Sequence, residues 1–163
     1  RRTLEMISEL LRYQLYGGNQ KVSILQEIDY LKTYIALRKL RMSERLRLRV
    51  EFPPELNELN IYPLLFLPLV ENAFKYVGGD YQLDIIMKWE NNRISLFIRN
   101  SIPELSAEDE ALRKSVDERQ RKGIGLVNLR RRLSLLYPNK HRLETRKEET
   151  EFVAELMIEI EDI

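Results

Sequence analysis

The chain has 163 residues, 44% hydrophobic and 33% charged, a balance that suits one soluble globular domain with a full core and argues against wholesale disorder. Lysine and arginine (27) outnumber aspartate and glutamate (26) by one, so the net charge of +1 weighs weakly against a dedicated nucleic-acid binder, and no apolar run reaches the roughly 18 residues of a membrane span. Without cysteine there is no disulfide framework, no thiolate metal site and no thiolate nucleophile, which fits a reducing compartment.

The chain opens Arg1-Arg2-Thr3, without Met and without a signal-peptide pattern, and is expected to be a piece of something longer. Leu4, Ile7, Leu11 and Leu15 fall at helical spacing and predict an amphipathic helix stopped by Gly17-Gly18-Asn19. Ser23, with Gln26 three residues on, is a capping signature for a second helix, whose expected apolar stripe is Leu25, Ile28, Leu31 and Ile35, extending to Met42. Arg38, Lys39, Arg41 and Arg45 read as its solvated face, with a specific anion contact as the alternative. Leu46, Leu48, Val50 and Phe52 alternate with charged residues and mark a half-buried strand that Pro53-Pro54 ends. Residues 55–62 read as a loop or short turn. Pro63 suits the first turn of the next helix, and Pro68 suggests a kink or restart within it.

Gly78-Gly79-Asp80 closes that helix. Leu83, Ile85, Met87 and Trp89, then Ile94, Leu96 and Ile98, alternate as two strands joined at Asn91-Asn92, a short hairpin signal. Residues 101–122 are polar, charged and weakly patterned, and a connection of that length is more often a functional lid than a packed element, with a loose helix expected over 107–116. A helix follows Gly125 through Leu126, Leu129, Leu133 and Leu136 and ends at Tyr137-Pro138-Asn139. Two strands close the chain, one over 141–147 and one carrying Phe152, Ala154, Leu156, Ile158 and Ile160 with Glu151, Glu155 and Glu159 facing out. Clustered hairpins predict an α+β fold, a two-layer sandwich of a mixed, mostly antiparallel sheet with helices on one face, plus the N-terminal helix.

The stretch Leu67 to Tyr76 carries the chemistry. It reads as a buried helix, yet Glu71, Asn72 and Lys75 lie within about one and a half turns of each other. A satisfied core pair is the ordinary explanation of Glu-Asn in an apolar helix, and a lone Gly-x-Gly before a helix is ordinarily a turn. Together, across a long polar segment, they suit a nucleotide site. Mg²⁺ needs few protein oxygens, so the Asn72 side-chain oxygen with phosphate oxygens suffices. Lys75 can reach phosphate as a point charge, and the Tyr76 ring can border a purine. Gly123 and Gly125 let the backbone approach, so that free amides at a helix start can bind phosphate.

At these residues the chain resembles the ATP-binding domain of sensor histidine kinases, within the superfamily shared with gyrase, heat-shock and mismatch-repair ATPases. Leu67–Tyr76 looks like the N box and Gly123–Asn128 like the G2 box. The likeness is greatest to the autolysis-regulator type, marked by P-L-V-E-N-A (Pro68 to Ala73), G-I-G-L-x-N (Gly123 to Asn128) and an arginine-rich helix with Arg130, Arg131 and Arg132. It spans Ser23 to Ile160, with Ser23 to Arg41 similar to the segment such kinases place before the domain. The resemblance implies a Bergerat-type ATP-binding domain over 21–163 with an ATP lid over 102–122, preceded by residues 1–20 as the second helix of a dimerisation and phosphoacceptor hairpin. It implies ATP and Mg²⁺ as cofactors, Asn72 as the Mg²⁺ ligand, and Glu71 and Asn72 as catalytic residues. The implied ATP-binding set is Asn72, Lys75, Tyr76, Asn100, Lys122, Gly123, Ile124, Gly125 and Leu126. It also implies a response regulator as partner, a homodimer through the hairpin, and a cytoplasmic location in a bacterial inner-membrane sensor protein. Neither nucleic acid nor direct membrane contact is implied for this stretch.

Two departures matter. The G1 box, normally an aspartate that accepts from the adenine amino group, stands here as Arg99-Asn100-Ser101, so the acceptor would be the neutral side-chain oxygen of Asn100. The only histidine, His141, lies in a turn leading into a strand and reads as a surface residue, not a phosphoacceptor. The chain alone is therefore expected to bind ATP without phosphorylating itself. The alternative is a degenerate module of the same fold that serves as a protein-interaction element.

Overall fold

The computed structural model describes residues 3–8, 11, 20–54, 56, 58–104 and 124–161. Residues 3–8 and 11 are helical, with Leu4 and Leu11 exposed and Met6 and Ile7 half-buried; the rest of the expected first helix, including Leu15, lies outside the described residues. A two-residue strand β1 (Val22–Ser23) leads into helix α1 (Ile24–Arg41), where the Ser23 hydroxyl accepts from the Leu25 amide at 3.2 Å. Arg38, Lys39 and Arg41 in the last turn complement the helix dipole. The buried stripe of α1 is Ile24, Glu27, Ile28, Tyr30, Leu31 and Ile35, which keeps Ile28, Leu31 and Ile35 of the expected one: Leu25 is 50% exposed, and Glu27 takes a core position.

Strand β2 (Arg47–Glu51) alternates as expected, with Leu48 and Val50 turned inward. The expected loop before the next helix contains a second short strand, β3 (Asn60–Ile61), antiparallel to β1. Helix α2 (Leu67–Tyr76) follows, with Pro68 in its first turn; Pro63 precedes the helix. Strands β4 (Gln82–Glu90) and β5 (Arg93–Ser101) form the hairpin, and positive φ at both Asn91 and Asn92 makes its turn the type whose twist matches the strands. Helix α3 (Ile124–Leu136), β6 (His141–Lys147) and β7 (Glu151–Glu159) complete the described elements. The expected helix over 107–116 lies outside them.

The main sheet runs β2-β4-β5-β7-β6, with β2 parallel to β4 and every other pair antiparallel. Its register sets Leu83 and Phe152 across from Asn100, and Ile98 across from both Ile85 and Ala154. One face thus carries the apolar residues of β4, β5 and β7. Helix α2 lies over β4 and β5, α3 packs beside α2 and β6, and α1 covers α2. Side chains such as Phe66, Leu69, Phe74, Ile85, Leu96 and Leu133 are fully enclosed, each contributing roughly 2 kcal/mol by leaving water. The fold is the α+β sandwich that the alternation predicts.

Candidate functional site

Helix α2 has two sides. Leu67, Leu69, Val70, Ala73 and Phe74 are buried, which fixes the helix on the sheet. The i, i+4 pairs Glu71–Lys75 and Asn72–Tyr76 share the other side, so the four polar residues form one stripe. Glu71 and Lys75 are exposed; Asn72 and Tyr76 are half-buried. Lys75 Nζ stands 5.4 Å from the centre of the Tyr76 ring, which puts the cation and the aromatic face side by side.

The stripe borders α1. Arg38 lies 5.6 Å over the Phe74 ring, and Tyr34 meets the same ring edge-on at 6.3 Å. Although Glu71 is exposed as a residue, partial enclosure of its carboxyl beside α1 raises it above its usual range, with the Arg38 guanidinium opposing the shift. The Tyr34 hydroxyl is pushed up to about 12, chiefly by burial, with Arg38 again acting in the lowering direction. Arg38 is half-buried and its Nε, enclosed by protein, has no hydrogen-bond partner. It is thus not the solvated side chain expected, because its partner surface, Phe74, lies on an element 36 residues later; Lys39, Arg41 and Arg45 are exposed.

At the end of β5, Asn100 is 1% exposed on the helix-facing side of the sheet. Its Nδ2 donates to the Ser101 carbonyl at 3.4 Å, while its Oδ1 has no partner. Ser101 fastens this strand end to the end of α2. Its hydroxyl donates to the Gly78 carbonyl at 2.6 Å and accepts from the Gln82 amide at 2.8 Å, and its carbonyl accepts from the Gly78 amide at 2.9 Å. Gly79 has φ +63°, and a Cβ there would come within 2.9 Å of the Ile102 carbonyl oxygen, so the turn needs glycine. These bonds bring Asn100 to the C-terminal end of the stripe that bears Lys75 and Tyr76. The sequence gives no sign of the Gly78–Ser101 link, since the partners are 23 residues apart.

Helix α3 starts at Ile124 and runs beside α2. Leu126 is half-buried, while Leu129 and Leu133 anchor the helix in the core. By helix geometry the amides of its first turn, beginning with Ile124, Gly125 and Leu126, have no acceptor within the helix. Lys122, Gly123 and the expected lid beyond Glu104 lie outside the described residues. The three arginines diverge: Arg130 donates to the Leu143 carbonyl at 3.3 Å, Arg132 reaches the loop before α2, and Arg131 is exposed. His141 opens β6 half-buried, not fully at the surface, and its Nδ1 pairs with the Tyr137 carbonyl at 2.7 Å.

Among the described residues, no three acidic, histidine or cysteine side chains gather as a metal site. A hard cation here would take few protein ligands and most of its shell from phosphate and water, which the half-buried carboxamide of Asn72 fits. Among the same residues, no helix is long and apolar enough to cross a membrane.

Comparison with known proteins points to one class. Residues 1–46 match the family model described as Histidine kinase. The sensor protein kinase HptS of Staphylococcus aureus is 27% identical over 145 residues, covering 86% of this chain and 28% of its own length. The chain therefore spans little more than a quarter of that relative. Among solved structures, the catalytic domain of histidine kinase ThkA superposes with a TM-score of 0.57 at 16% identity, covering 87% of this chain and 97% of that one. Full-length ShkA in complex with AMPPNP gives 0.56 at 14% identity over 97% of this chain and 35% of that one. ThkA has also been solved in complex with the response regulator TrrA, matched at a TM-score of 0.51 and 16% identity over 95% of this chain and 47% of that one. The architecture is that of a histidine kinase catalytic domain. The chain is thus similar in sequence to a sensor histidine kinase and in fold to histidine kinase catalytic domains.

Proposed function

We propose that this chain is the ATP-binding catalytic part of a two-component sensor histidine kinase, and that the parent protein moves the γ-phosphoryl group of ATP to a histidine upstream of this stretch and then to a response regulator. The observation that carries the reading is the buried Asn100 carboxamide, whose Oδ1 lacks a partner at the end of the stripe from Glu71 to Tyr76. A buried acceptor without a donor costs roughly 1–3 kcal/mol, and the amino group of adenine would supply that donor. This favours nucleotide binding over the reading as a degenerate interaction module.

In this reading the ring of Tyr76 walls the base, Lys75 meets phosphate, and the Gly123–Leu126 backbone with Lys122 closes on the phosphates from the start of α3. Asn72 holds Mg²⁺, which when bound neutralises charge on the phosphate oxygens. Glu71, raised by burial, accepts a proton near the transferred group or orders water beside it. The lid over 102–122 excludes water. The rest is positioning. In the parent, residues 1–20 continue a dimerisation hairpin, the domain occupies 21–163, and the autolysis-regulator likeness supports a cytoplasmic location below a bacterial inner-membrane sensor.

The test is phosphorylation from labelled ATP in a longer chain that includes the upstream helix with its histidine. Label on that histidine, absent after Asn72→Ala, is the expected result; a longer chain that binds nucleotide but takes up no label returns the interaction-module reading.

A further inference from the structure

The loop 62–66 that launches α2 is held from two sides. From α1, the Glu27 carboxylate, 1% exposed, accepts a short hydrogen bond from the Leu64 amide. From α3, Arg132 Nη2 donates to the Pro63 carbonyl at 3.0 Å and Nη1 to the Leu64 carbonyl at 3.3 Å. The Tyr137 hydroxyl, just past α3, accepts from the Tyr62 amide at 3.0 Å. Leu64 sits at φ +62°, a conformation a leucine holds only when its surroundings fix it. Helix α2 has no side-chain cap at Phe66, so Pro68 in its first turn is the start signal on the helix itself, and the rest comes from outside it.

A carboxylate and a guanidinium thus grip the amide and the carbonyls of one strained turn, and both contacts are charge-assisted. One comes from the helix that follows residues 3–8, the other from the helix that starts at the glycine-rich segment. We infer that Glu27 and Arg132 are positioning residues, which fix the start of α2, and with it Asn72, relative to α1 and α3. Given the proposed nucleotide site, on which the functional part of this inference rests, they set the metal-binding residue against the phosphate-binding segment. Movement of α1 would then reach both halves of the site through one turn.

The test uses E27Q and R132K in the 163-residue chain, with two readouts. Hydrogen exchange is expected to accelerate about tenfold at amides 65–72 and in α3 together for each variant, while the β4–β5 hairpin is unchanged. In calorimetry, the Mg²⁺-dependent part of ATP affinity is expected to fall about tenfold, with metal-free binding within about twofold of the parent chain. Exchange that is unaltered, raised only within α1, or raised evenly across the chain overturns the positioning role. So does an equal loss of metal-free and metal-dependent binding. If the unsubstituted chain binds no nucleotide, the proposed function fails and hydrogen exchange alone decides the positioning claim. If E27Q does not fold, R132K, altered only at a half-buried side chain, decides it.

Discussion

Asp84 and Asn100 are both buried polar residues at neighbouring places in the same hairpin, on opposite faces of the sheet, and they end up in opposite situations. Asp84, 2% exposed, is fully engaged: Arg99 grips one oxygen with Nη2 at 2.6 Å and Nε at 3.0 Å, and Gln82 Nε2 donates to the other at 3.0 Å. Glu151 stands 3.5 Å from the same guanidinium on the next strand. Asn100, 1% exposed, faces the helices with its oxygen unpaired. A satisfied buried group ties strands together, whereas an unsatisfied one costs stability until something else arrives to pair with it. The open-face cluster is scaffold; the helix-side end of β5 is where we propose that a ligand pairs.

Substitution should separate the two. Asn100→Leu is expected to weaken nucleotide binding about a hundredfold, read by calorimetry, while raising unfolding free energy by about 1 kcal/mol, because an unpaired acceptor gives way to an apolar group of similar size. Asp84→Ala should do the reverse, costing about 2 kcal/mol in urea unfolding with nucleotide affinity unchanged. A loss of binding in Asp84→Ala, or a loss of stability in Asn100→Leu, would break the contrast. Asn100→Asp sharpens it: nucleotide binds about tenfold more tightly, while the free protein unfolds more readily because a buried charge has replaced a buried dipole.

Smaller effects follow elsewhere on the helix side of the sheet. Tyr137→Phe leaves the Tyr62 amide without its acceptor and should cost about 1 kcal/mol. The Tyr34 hydroxyl stands at about 12 in the fold against an ordinary 10.0. The raised value means the fold favours the neutral form, so its contribution is complete below pH 10 and is lost as pH rises toward 12. Tyr34→Phe should remove that part of the alkaline loss, measured by unfolding across the window. Arg38→Met takes away the cation that opposes the burial shift on Glu71 and should move its carboxyl further upward, followed by carboxyl NMR titration.

Much of this architecture is legible in the sequence wherever periodicity runs long enough. The bounds of β6 and the end of α2 coincide with their expectations, and Asn91-Asn92 marks its turn, because strong alternation and side-chain propensity agree there; α2 starts at Leu67, not at Pro63. The paired strands β1 and β3 escape because two residues carry no period. Glu27 escapes for another reason. An acid on a helix reads as solvent-facing, and its partner is the amide of Leu64, 37 residues away. Pro63 and Pro68 compete for the same helix start, and the clamp on the turn between them decides for Pro68. In the site, the stripe from Glu71 to Tyr76 follows from i, i+4 spacing alone. Asn100 is different: its strand position follows from alternation, but its unpaired oxygen depends on what packs above it.

Calorimetric titration of the chain with ATP, with and without Mg²⁺, tests the central claim most directly. The account predicts binding that strengthens with Mg²⁺ and loses that Mg²⁺-dependent gain in Asn72→Ala. Heat-silent titrations at millimolar nucleotide, or an Asn72→Ala chain that responds to Mg²⁺ as the parent does, would contradict it.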